Sequence, residues 1–108
     1  MADVQYVVVL TTLPVDADPS QFAASLVEDR VAACVNILPE MRSVYRWESG
    51  IEDERERQIV IKTTSSCLVA LWERVRELHP YEVPEFLVIP VIDGSDAYMK
   101  WVRESTKG

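Results

Sequence analysis

Apolar runs of strand type and stretches whose apolar residues recur at steps of three and four follow one another as strand, helix, strand, strand, helix, strand, helix. This order predicts an α+β fold. Its first six elements are the split βαβ arrangement of a ferredoxin-like sandwich, a four-stranded antiparallel sheet with a long hairpin between its second and third strands. No composition break, Ser/Gly linker or internal repeat interrupts the chain, so residues 1–108 are expected to form one domain.

Residues 4–12 are a β-rich run ended by Leu13-Pro14, and the polar Val15-Asp16-Ala17-Asp18 leads into a helix. Asp18 is a good N-cap, Pro19 suits the first helical position and Gln21 takes the capping-box position. Phe22, Ala23, Leu26 and Val27 give an apolar face, and the helix is expected to reach Val31. Residues 33–38 and 44–47 read as strand. Pro39 lies between them and cannot donate to a ladder, so a bulge or an edge is expected there. Ser49-Gly50 supplies a turn. Beyond it, alternation places Glu52, Glu54 and Glu56 on one face and Asp53, Arg55 and Arg57 on the other, before the apolar Ile59-Val60-Ile61. The Glu-rich tip of this hairpin reads as solvated surface, able to hold cations loosely.

Ser65 or Ser66 can cap a second helix with Leu68, Leu71, Trp72, Val75 and Leu78 on its apolar side, and Pro80 stops it. Residues 86–92 are apolar on both alternating faces, as a strand covered on both sides requires, with Pro84 at its start. Asp93-Gly94 turns the chain, and Ser95 caps a short last helix with Tyr98, Trp101 and Val102 on one side. Two main helices cover one face of such a sheet, yet residues 4–10 and 86–92 offer apolar side chains to both. The last helix is too short to cover the second face alone, so self-association is expected.

With 48% hydrophobic and 27% charged residues among 108, the chain has an ordinary core and belongs to no disordered or low-complexity class. Eighteen acidic against eleven basic residues give a net charge of -7, and no Lys/Arg block exists, which argues against nucleic acid as a partner and suits cations. Two cysteines, Cys34 and Cys67, are too few for a disulfide scaffold and are read as reduced thiols. The opening MADVQYVVVLTTLP has an acidic residue where a signal peptide needs positive charge, and its apolar run is too short to span a bilayer. A cytoplasmic protein without membrane insertion is the expectation.

No G-x-S-x-G, Walker loop, G-x-G-x-x-G or H-E-x-x-H is present, and the single His79 would have to serve any nucleophile as base. An enzyme is therefore not expected. Cys34 and His79 suit copper or zinc, but their spacing is not diagnostic. Cys34, within Ala32-Ala33-Cys34-Val35, reads more readily as a small buried hydrophobe, and His79 before Pro80 as a ring capping helix carbonyls. The segment His79-Pro80-Tyr81-Glu82-Val83-Pro84-Glu85 holds an imidazole, a phenol and carboxylates between two prolines, a composition that suits a rigid binding loop. The two prolines serve equally to end a helix and start a strand. Tyr45 and Trp47 could line a pocket or pack in an interface.

At these residues the sequence resembles the CutA family of divalent-cation tolerance proteins. The resemblance is carried by Ala33-Cys34-Val35-Asn36-Ile37-Leu38-Pro39, Ser43-Val44-Tyr45-Arg46-Trp47, Gly50-Ile51-Glu52, Ile61-Lys62-Thr63-Thr64 and residues 79–85, in order along almost the whole chain. It implies a ferredoxin-like subunit in a tight, non-enzymatic homotrimer that binds copper(II) or other divalent cations, with the long hairpin and the sheet edges joining subunits. It implies Cys34 and His79 as metal ligands, with Thr11 standing where some members have a further cysteine. Trp47, Lys62, Tyr81, Glu82 and Glu85 fall at its intersubunit-cleft positions. The family's trimer is also similar to the PII signalling proteins, which implies the alternative of a small anion or a partner peptide held by Lys62 and the 79–85 loop.

Overall fold

The structure, a computed structural model, describes residues 5–107. Strand β1 spans Tyr6–Pro14, β2 Cys34–Trp47, β3 Gly50–Thr64 and β4 Leu87–Val91. Helix α1 spans Pro19–Glu28, α2 Leu68–Leu78 and α3 Asp96–Ser105, with a 3₁₀ turn, Ser65–Cys67, before α2. The sheet order is β2-β3-β1-β4 and every neighbouring pair is antiparallel, which is the expected split βαβ topology. Val4, expected to begin the first strand, lies outside the described residues.

Register decides the two faces of the sheet. Val7, Val9, Thr11 and Leu13 of β1 stand beside Thr63, Ile61, Ile59 and Arg57 of β3. On this face Val7, Val9, Leu13, Ile59 and Ile61 are buried together with Phe22 and Leu26 of α1 and Leu71 and Val75 of α2. The other face carries Tyr6, Val8, Leu10 and Thr12 beside Thr64, Lys62, Val60 and Gln58. Helix α3 reaches only one end of it, where Arg103 donates to the Tyr6 hydroxyl at 3.3 Å and the Lys62 ammonium stands 5.9 Å from the Tyr98 ring. Strand β4 is therefore not covered on both sides within the chain: Leu87 is 55% and Ile89 45% exposed. An edge strand with bare apolar residues takes its cover from outside the chain or not at all.

Local chemistry explains most element boundaries. Asp18 caps α1 by accepting from the amides of Ser20 and Gln21 at 3.0 and 3.1 Å. The helix stops at Glu28, three residues short of Val31, because Arg30 adopts φ 60°. The amides of Arg30 and Val31 turn back to the carbonyls of Val27 and Leu26, the paired bonds of a Schellman end, and Leu26 and Val31 are both buried. The β2–β3 ladder shifts register between Ile37 and Glu40, so Pro39 sits at an irregularity as expected. The hairpin turn lies one residue earlier than Ser49-Gly50: Trp47 pairs with Gly50, and Glu48 takes the positive φ of 54°. Neither Ser65 nor Ser66 caps α2, because the intervening 3₁₀ turn gives its N-cap position to Cys67. The last strand starts at Leu87, beyond Pro84 and Phe86. Ser95 caps α3 through the Tyr98 amide, as expected.

Candidate functional site

A groove of about 700 Å³ opens where the base of the hairpin meets the loop after α2. Its floor follows from β-alternation. Beyond the irregularity at Pro39, Met41, Ser43 and Tyr45 of β2 stand opposite Glu56, Glu54 and Glu52 of β3, and all six side chains face the groove. Trp47 extends this wall toward the tip. The cations of the hairpin sit on its other face, where Arg42 pairs with Asp53 and both Arg55 and Arg57 approach Glu40. Among the described residues no lysine or arginine lines the groove.

The second wall is residues 80–85, set in place by the end of α2. A residue before proline avoids the helical region, and His79, preceding Pro80, is extended at φ −83° and ψ 135°. Its amide still closes the last helical turn on the Val75 carbonyl at 2.8 Å, while its ring turns into the protein, where it is only 7% exposed. Ring Nε2 lies 2.5 Å from the Thr12 carbonyl, and ring Nδ1 accepts from the Tyr81 amide at 3.0 Å. Phe22 stands edge-on to the imidazole at 6.5 Å between centroids, and Tyr81 packs on it at 4.9 Å. Further along, Gln58 donates through Nε2 to both the Thr11 carbonyl, at 2.7 Å, and the Glu85 carboxylate, at 2.9 Å. Phe86 then packs on Trp72 of α2 with centroids 4.8 Å apart.

The groove is strongly acidic at its closed end. Glu56 is 7% exposed and accepts from the Tyr81 hydroxyl at 3.3 Å. Burial, then the charge of Glu56 and the bond to it, push the Tyr81 phenol up to about 12. Tyr45 is also raised, first by desolvation and then by the Glu54 carboxylate. Glu52, Glu54, Glu82 and Glu85 line the same space. Glu56 thus corrects the expectation of a wholly solvated carboxylate tip: its register beside Pro14 of β1 carries it to the base of the hairpin.

Trp47, Tyr81, Glu82 and Glu85 all line this groove of the single chain. Lys62 does not: it faces Tyr98 on another part of the sheet. Cys34 pairs with Lys62 across the β2–β3 ladder, whereas His79 meets Thr12, whose partner on β3 is Gln58. The two are separated by four residues of β3, about 13 Å, and by two strands laterally. One chain therefore does not bring Cys34 and His79 to a common ion. Among the described residues no group of three or more His, Cys, Asp or Glu side chains has metal-holding geometry. Thr11 points to the helix-covered side, where its hydroxyl is fully buried without a hydrogen-bond partner. Thr12, Glu56 and Gln58 are the participants that motif reading missed. Only alternation of the hairpin carboxylates hinted at Glu56.

No described helix is long and apolar enough to cross a membrane. A family model described as CutA1 divalent ion tolerance protein matches residues 7–105. The chain is 43% identical over 99 residues to a divalent-cation tolerance protein CutA of Thermus thermophilus, covering 92% of this chain and 96% of that one. It is 43% identical over 96 residues to a human protein CutA, spanning 89% of its own length but 54% of the human chain. Among solved structures, a divalent cation tolerance protein from Thermus thermophilus superposes with a TM-score of 0.90 at 42% identity, covering 94% and 98% of the two chains. A CutA1 from Oryza sativa gives 0.90 at 37% identity, covering 95% and 94%. Matched by the family model over residues 7–105 and by relatives over nearly its whole length, the chain belongs to the CutA1 divalent ion tolerance protein family.

Proposed function

We propose that this protein serves divalent-cation tolerance as a non-enzymatic homotrimer that concentrates divalent cations, copper(II) among them, in its acidic groove. The observation that carries the reading is Glu56, a carboxylate buried at the closed end of a groove with four further glutamates and no cationic side chain. A buried charge is costly until a counter-charge reaches it, and carboxylate oxygens accept divalent cations. Names of the relatives agree with a role toward divalent cations. A binding role rather than catalysis is favoured because the one imidazole is engaged by the Thr12 carbonyl and the Tyr81 amide. A groove for a small anion has less support, since Lys62 lies away from it.

Titration calorimetry with copper(II) and with zinc(II) tests this reading, wild type beside Glu56→Gln and the double variant with Glu54→Gln. Saturable heat that weakens about tenfold or more when Glu56 is neutralised is the expected result. Isotherms indistinguishable among the three proteins would remove the groove as the cation site.

A further inference from the structure

We propose that His79 is a positioning residue, the lock that fixes the groove's loop wall to β1, and that it is not a metal ligand. The argument is one of hydrogen-bond bookkeeping. An amide N–H can only donate, so the Tyr81 amide at 3.0 Å requires an unprotonated Nδ1 with its lone pair directed at that amide. A carbonyl can only accept, so the Thr12 oxygen opposite Nε2 requires a proton there. The ring is thereby a neutral Nε2–H tautomer with both nitrogens spent. Coordination at either nitrogen would leave a backbone group, the Tyr81 amide or the Thr12 carbonyl, without its partner.

What the lock achieves is read from its neighbours. Tyr81, held by Nδ1, delivers its hydroxyl to Glu56, and its ring packs at a tilt against the imidazole. Four residues further, Glu85 is tied by Gln58 to the carbonyl of Thr11, the residue beside Thr12. Residues 80–85 are therefore fastened to β1 at both ends, through His79 and through Gln58. Phe22, buried in the core, stands edge-on to the ring, so the contact extends to α1. The side chain that sequence resemblance offers as a ligand is thus the one that shapes the groove. The assignment stands whether or not the groove takes up a cation.

The chain has a single histidine, which makes the test unambiguous. Nitrogen NMR of imidazole-labelled, metal-free protein should show the neutral Nε2–H tautomer, and one equivalent of zinc(II) should leave both ring resonances in place. Copper(II)-loaded protein examined by electron spin echo envelope modulation should lack the imidazole nitrogen signature. An Nδ1–H tautomer, a zinc-induced ring shift or an imidazole modulation would each overturn the proposal. As the variant arm, His79→Ala should speed amide exchange at Tyr81 about tenfold or more, the scale of one lost buried hydrogen bond. His79→Gln, which keeps a donor and an acceptor, should recover part of that protection. Unaltered exchange at Tyr81 in folded His79→Ala would also overturn the lock. Absence of any cation from the groove would show in calorimetry alone, leaving ring tautomer and exchange unchanged.

Discussion

Thr11 carries a fully buried hydroxyl without a hydrogen-bond partner, beside the buried Val9, Leu13 and Ile59. An unsatisfied buried polar group costs about 1–3 kcal/mol, and valine has nearly the same shape. Thr11→Val should therefore stabilise the protein by about 1 kcal/mol, raising Tm by about 4–8 °C in thermal denaturation for a chain of this size. A lower Tm would show that the hydroxyl has a partner. Tyr81 gives a second residue-scale prediction, with the sign fixed by linkage. Its phenol rises from 10.0 to about 12 on folding, so folding favours the neutral form. The resulting stability is fully present below pH 10 and is lost as pH climbs through about 12. Denaturant midpoints should fall less steeply over that range in Tyr81→Phe than in wild type, and parallel profiles would refute the assignment. Tyr81, Glu82, Glu85 and Trp47 were legible in the sequence because a proline-bounded loop and a hairpin aromatic announce themselves locally. Glu56 and Gln58 were not, since their place depends on β1–β3 register, which side-chain alternation alone does not fix.

At the scale of elements, what the sequence displays is whatever local chemistry controls. The Asp18 cap is such a case, with its carboxylate accepting from two amides of the first turn. Asp18→Ala should cost about 1 kcal/mol, visible as a lowered denaturation midpoint by circular dichroism, and an unchanged midpoint would mean the cap bonds add nothing to stability. Alternation at 52–57 and the irregularity at Pro39 were legible for the same reason: a two-residue period and a missing donor need no tertiary information. The end of α1 was not, because Arg30 fills a left-handed position that glycine usually marks. Tertiary contacts hold it there: its guanidinium donates to the Glu104 carbonyl at 2.6 Å, and its own carbonyl accepts from the Lys107 amide at 3.0 Å. The extended conformation of His79 was implied by Pro80, but the aim of its ring depended on where β1 passes.

The whole molecule is 47 Å long and 25 by 23 Å across, because the β2–β3 hairpin runs out beyond the helices. Its sheet ends in β2 on one side and β4 on the other, each paired along a single edge, so backbone groups stand ready at both outer edges. On β4 the uncovered Leu87 and Ile89 lie on the same face as Val8 and Leu10. Along the projecting hairpin Val44, Trp47 and Ile51 are exposed as well. Two unlike edges on one sheet favour head-to-tail contact, β4 of one copy against β2 of the next, and such a contact forms a closed ring when its rotation permits. Three copies is the closure proposed here, which multi-angle light scattering at micromolar concentration should report as three chain masses. Substituting Leu87→Lys with Ile89→Lys places two charges on the bare face while leaving the helix-covered core untouched, so the variant should scatter as a folded monomer. A monomeric wild type would refute the assembly. A charged variant that stays trimeric would move the interface away from this face of β4 and onto the hairpin.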